Sequence, residues 1–244
     1  MPIGYAAVML WKKPWQPEIV MALAGAMVMV FLSGNVAAGL LRHAGVHGFK
    51  NDFSAGAVLA GTITFHGAAL VLGGIFLKMH GIRWREALNV QNWKRGLALA
   101  GVTLVVVAPV MIGLKVVSEL TLNWLGWPAP DQQAVEIILA AKAIWLQAYL
   151  VFFTIALAPV AEEFFFRGLM FSAAKKMGWP KLGCFGASFL FALSHMNAPT
   201  FLPLFVFALA LTWLYEKTEG LLAPIAAHSL FNAANLALLY LQKP

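Results

Sequence analysis

Three short stretches of this sequence hold residues whose types and spacing could do chemistry. Ala161-Glu162-Glu163-Phe164-Phe165-Phe166-Arg167 places three ionisable side chains inside an apolar run. Phe191-Ala192-Leu193-Ser194-His195 ends a second apolar run with an imidazole, and His228-Ser229-Leu230-Phe231-Asn232 sets a histidine and an asparagine on one helical face. A charge facing lipid at mid-bilayer costs about 2.5–3.5 kcal/mol on insertion scales, so these groups must face the protein interior or water. Glu163 and Arg167, with the acid four residues ahead of the base, suit a helical ion pair. Glu162 points about 100° away from Glu163 around the helix and has no local partner. An unpaired carboxylate inside a membrane is a functional-site candidate by default.

A carboxylate beside an imidazole in a low-dielectric cavity can hold and deprotonate a water. A second histidine and an asparagine on the same cavity can donate hydrogen bonds to a developing oxyanion, worth about 2.7–4 kcal/mol per donor in other hydrolases. Together these groups specify hydrolysis of an acyl or peptide bond. The alternative is metallic, since one Glu and two His (Glu162, His195, His228) are a ligand set for catalytic zinc with water in the fourth position. The chain contains no His-Glu-x-x-His and no Gly-x-Ser-x-Gly. A zinc-protease helix and a serine nucleophile elbow are therefore not encoded in their usual form. Cys184, the single cysteine, reads as packing.

The elements that must position these groups are membrane helices. Of 244 residues 61% are hydrophobic and 11% charged, well outside the soluble class. A helix crossing about 30 Å of hydrocarbon needs roughly 20 apolar residues. Candidate spans are Ile19–Leu41, Ser54–Leu77, Gly96–Leu114, Ala143 to about Ala174 (interrupted by Pro159), Leu182–Ser194, Thr200–Tyr215 and Leu221–Leu241. Asp131 is the expected N-cap of a short amphipathic helix ending near Lys142. The fold class is thus all-α, a polytopic membrane bundle of about seven transmembrane helices, or eight if one is re-entrant.

The net charge of +7 reflects basic residues at the ends of apolar runs, as anionic lipid favours, rather than a nucleic-acid partner. Twelve basic residues fall on one set of alternating segments and five on the other, which predicts a cytoplasmic N-terminus. No cleavable signal peptide is evident, so the first long span is expected to anchor the chain. Glu162 lies 13 residues before Lys175 and His195 lies 14 after Lys181, so both sit about 20 Å from one basic boundary. His228, 11 residues beyond Lys217, lies about 10–17 Å from that face. The four groups can meet at one level, and Pro159 and Pro224 can kink their helices to admit water. His66, alone on the second span, reads as a hydrogen-bonded structural group.

Glu-Glu-x-x-x-Arg, Phe-x-x-x-His and His-x-x-x-Asn, in that order on successive spans, resemble the CPBP (Abi) intramembrane proteases, which include the type II CAAX prenyl endopeptidases. The resemblance covers roughly 143–239. It implies a division into an N-terminal three-span scaffold (1–130) and a catalytic core of four spans (131–244). It also implies an intramembrane endopeptidase acting near the C-terminus or membrane segment of a membrane-associated protein or peptide. By position, Glu162 would activate water with help from His195, His228 and Asn232 would form the oxyanion site, and Glu163 and Arg167 would orient the first motif. The resemblance fits a glutamate-type protease needing no metal better than a zinc enzyme. Its bacterial branch implies a bacterial cell membrane and a substrate that is lipidated or bears a C-terminal sorting tail. The competing readings are a non-catalytic scaffold or bacteriocin self-immunity protein on the same fold, and a proton-coupled carrier. Carriers usually show broken helices in both halves, whereas these polar residues are confined to the second.

Overall fold

A computed structural model describes residues 10, 15–51, 54–127 and 133–241. Among the described residues six helices are long and apolar enough to cross a membrane, and a seventh, Pro180–Ser194, is apolar but shorter. We number the helices α1 (Pro17–His43), α2 (Ala55–Met79), α3 (Trp93–Trp124), α4 (Gln133–Ala140), α5 (Ile144–Lys176), α6 (Pro180–Ser194), α7 (Ala198–Thr218) and α8 (Leu222–Leu241). No strand occurs among the described residues. The protein is an all-α, polytopic integral membrane bundle, and its seven apolar helices fall on the seven candidate spans.

One detail departs from the sequence reading. The third span is much longer than Gly96–Leu114. Lys115 and Glu119 pair at 3.6 Å across one helical turn, so the helix continues through its charged stretch to Trp124. At 32 residues it is about 48 Å long and exceeds the hydrocarbon thickness. The amphipathic helix is present as α4, while its expected cap Asp131 lies outside the described residues, as do Lys12, Lys13 and Lys243, on which part of the charge count rests.

Prolines and one asparagine set the starts of three of the helices. Pro17 and Pro180 occupy first-turn positions of α1 and α6, where the missing N–H costs nothing. Asn197 turns the chain between α6 and α7, its Oδ1 accepting from the Thr200 N–H at 3.2 Å. The 15 residues of α6 rise only about 22 Å, so His195 at its end is held within the depth of the bundle.

The core lies under α5. Phe164, Phe166, Phe171, Phe191, Ala208 and Tyr215 are buried in one cluster drawn from α5, α6 and α7. Small residues let the helices close. A Cβ on Gly73 of α2 would stand 2.3 Å from the Phe164 ring, and one on Gly183 of α6 would stand 2.7 Å from the Ala174 Cβ. Such close approach is how membrane helices gain contact where burial from water is not the driving force.

Three wide, π-helical turns interrupt the spans: Ile63–Gly67 in α2, and Phe153–Leu157 and Phe164–Phe171 in α5. Turns of this kind free a backbone group and re-aim side chains, and they recur at functional sites. Each of these three contributes to the cluster described next.

Candidate active site

Glu163 and Arg167 form the predicted pair. Arg167 Nη1 donates to Glu163 Oε1 at 2.9 Å, and both side chains are fully buried. Arg167 Nη2 donates to the Ala208 carbonyl on α7 at 2.9 Å, and the guanidinium lies 4.8 Å from the Phe191 ring centroid. One cation therefore ties α5, α6 and α7 together. A buried ion pair of this kind is costly to break, because either partner alone is an uncompensated charge.

Glu163 also receives His228. The His228 Nδ1–H donates to Glu163 Oε1 at 2.9 Å, which fixes the ring and leaves Nε2 facing Glu162 Oε2 at 3.9 Å. That gap is too long for a direct hydrogen bond and is of the kind a bridging oxygen fills. Glu162 Oε2 is buried and has no hydrogen-bond partner in the protein. The Glu162 side chain as a whole is 16% exposed, so the site is reachable though enclosed.

His195 lies within electrostatic reach of the Glu162 carboxylate. Its Nδ1–H donates to the Phe191 carbonyl one turn back at 2.8 Å, so Nε2 is the atom it can present. Phe191 stands between the two imidazoles, with its ring centroid 4.9 Å from that of His195 and 5.6 Å from that of His228. The Phe of the second motif thus spaces the histidines and backs the Arg167 cation. Asn232, one turn beyond His228 and facing the same helix α5, donates from Nδ2 to the Thr154 carbonyl at 2.8 Å. That carbonyl belongs to the wide turn Phe153–Leu157. One Nδ2–H of the amide is used there and one remains.

The sequence reading left Glu162 without a local partner and took His66 as a hydrogen-bonded structural group. The structure brings them together: His66 Nε2 lies 3.1 Å from Glu162 Oε1. The signal was present in the spacing. His66 precedes Lys78 by 12 residues, about 18 Å below the same basic boundary used to align the other groups.

The zinc alternative requires Glu162, His195 and His228 to converge. Among the described residues no three His, Cys, Asp or Glu side chains gather as a set that could hold a metal ion. The residues as folded do not fit that ligand set, and the metalloprotease expectation gains no support.

The chain matches no curated protein and no solved structure. Residues 144–234, which run from the start of α5 into α8 and contain all three motifs, match the family model of the type II CAAX prenyl endopeptidase Rce1-like proteins. That segment is the one that holds Glu162, Glu163, Arg167, His195, His228 and Asn232. Over residues 144–234 this integral membrane protein is similar to the type II CAAX prenyl endopeptidase Rce1-like family.

Proposed function

We propose that the chain is an intramembrane endopeptidase that hydrolyses a peptide bond near the C-terminus or membrane segment of a membrane-associated protein or peptide. The observation that carries this reading is the buried, unpartnered Glu162 Oε2 facing His228 Nε2 across 3.9 Å. An oxygen held between such groups is placed to be deprotonated as it attacks.

In this reading Glu162 takes the proton of the attacking water, with His195 Nε2 holding the water as a second acceptor. As the C–O bond forms, charge develops on the substrate carbonyl oxygen. His228, anchored through Nδ1 by Glu163 and protonated on Nε2, donates to that oxygen together with the free Nδ2–H of Asn232. The tetrahedral intermediate collapses with cleavage of the C–N bond, and the proton on Glu162 passes to the leaving amine. Glu163 and Arg167 touch no reacting atom and act as positioning residues. No step of this reading is assigned to a metal. The basic-residue bias supports a cytoplasmic N-terminus, and the resemblance of the three motifs fits a bacterial cell membrane and a substrate that is lipidated or bears a sorting tail.

The test compares wild type with Glu162→Gln, expressed at matched levels in a host lacking the gene, by mass spectrometry of membrane-protein C-termini. New termini that appear only with wild type support the reading and name the substrate. Identical termini, with the host phenotype still rescued by Glu162→Gln, overturn it and leave a non-catalytic scaffold.

A further inference from the structure

The proteolytic reading assigns nothing to the first half of the chain, and the family match begins only at residue 144. We infer that His66 of α2 is a positioning residue for Glu162: it holds Oε1 of the carboxylate so that Oε2 is the atom presented to the attacking water. The inference rests on that reading.

Four observations carry it. First, the contact is direct, His66 Nε2 to Glu162 Oε1 at 3.1 Å, and both side chains are largely buried, at 17% and 16% exposure. Second, the other oxygen, Oε2, has no hydrogen-bond partner in the protein, so among the described residues His66 is what fixes the plane of the carboxylate. A carboxylate held by one oxygen keeps a defined rotamer, whereas a free one turns about a soft terminal torsion.

Third, the imidazole is itself locked. Its Nδ1–H donates to the Thr62 carbonyl at 3.2 Å and its Nε2–H to Glu162 Oε1, so with an acceptor oxygen on each side the ring donates from both nitrogens, as an imidazolium does. The rings of Phe65 and Phe153 stand edge-on to it, with centroids 5.1 and 4.7 Å away. Fourth, α2 is pinned to α5 on both sides of His66. The Thr62 hydroxyl meets the Tyr149 hydroxyl at 2.6 Å, and Gly73 admits the Phe164 ring two turns further on. The wide turn Ile63–Gly67 aims the ring from this clamped stretch. A histidine that merely filled space would need none of these constraints on its second nitrogen.

The test uses the purified full chain in proteoliposomes, with the C-terminal segment of the protein identified by its new terminus as substrate. His66→Phe fits between the flanking rings and donates nothing. His66→Asn is too short to reach Oε1. His66→Gln keeps a donor at about the right reach. Misplacing a reacting group by about 1 Å costs on the order of 100-fold, so the Phe and Asn variants should lose about 10- to 100-fold in kcat with KM within about twofold. His66→Gln should recover most of that loss, and in a Glu162→Gln background His66→Phe should cost nothing further. Wild-type kcat in folded His66→Phe or His66→Asn overturns the inference, as does a folded His66→Gln no faster than they are. Should His66→Phe fail to fold, the Asn and Gln pair decides. A wild type that cleaves nothing overturns the proteolytic reading and this inference with it, whereas an active wild type indifferent to His66 overturns this inference alone.

Discussion

In the first three spans 17% of each apolar window is buried, against 50% in α7, and what is buried differs in kind as well as amount. The early spans turn large aliphatic side chains outward: Met29, Val36, Val102, Val105 and Val106 are all more than half exposed. The later helices bury Glu163, Arg167, Ser172, Thr212 and His228. The first half meets lipid, where one apolar side chain is much like another. The second half encloses a polar network in which each member answers to a partner, and such networks tolerate little change. His66 is where the first region reaches into that polar network, and Gly73 is where it packs against the Phe164 ring beside it.

Breaking the comparison at its centre should have the largest effect. Glu162→Gln keeps the shape of the side chain and removes the base, so cleavage should fall by about 10²–10⁴-fold with an unchanged melting profile in detergent. A stable variant that still cleaves would remove Glu162 from the chemistry. Next comes Arg167→Leu, which leaves Glu163 buried without its cation and should cost about 3–5 kcal/mol, read as a large drop in Tm or loss of the monodisperse species. Arg167→Lys should rescue it poorly, since one ammonium cannot make the two diverging hydrogen bonds to Glu163 and Ala208. Gly73→Leu probes the seam between the regions. Its side chain must displace the Phe164 ring, so stability should fall by about 1–3 kcal/mol, and activity should fall further than in Gly183→Leu, which strains α6 against α5 without moving His66. Val105→Ala, on the lipid-facing side of α3, should change stability by no more than about 0.5 kcal/mol. An effect there as large as at Gly73 would erase the contrast.

Much of the site was legible before any fold was known. The Glu163–Arg167 pair follows from four-residue spacing, and the common depth of Glu162, His195 and His228 follows from rise per residue measured from flanking lysines. His66 obeyed the same ruler, yet a lone histidine carries no spacing motif to single it out. The contact of Asn232 with Thr154 could not be read at all, because it depends on a carbonyl exposed by a departure from α-helical hydrogen bonding. The length of α3 was missed for the opposite reason: hydropathy marks where apolar residues stop, not where a helix does, and Lys115 with Glu119 extends the helix through its charges.

The wide turns have a consequence for how the chain can change in length. A π-helical turn fits one more residue into the span of an α-helical one. Removing a single residue from Phe153–Leu157 should let α5 straighten locally while the segments on either side keep their seats. Removing one from the regular stretch of α7 would instead swing everything after it by about 100°. Insertions and deletions that a descendant of this chain could survive are therefore expected to collect at the same three turns that aim its polar groups, so that small changes in chain length would retune the site before they disturb the bundle around it.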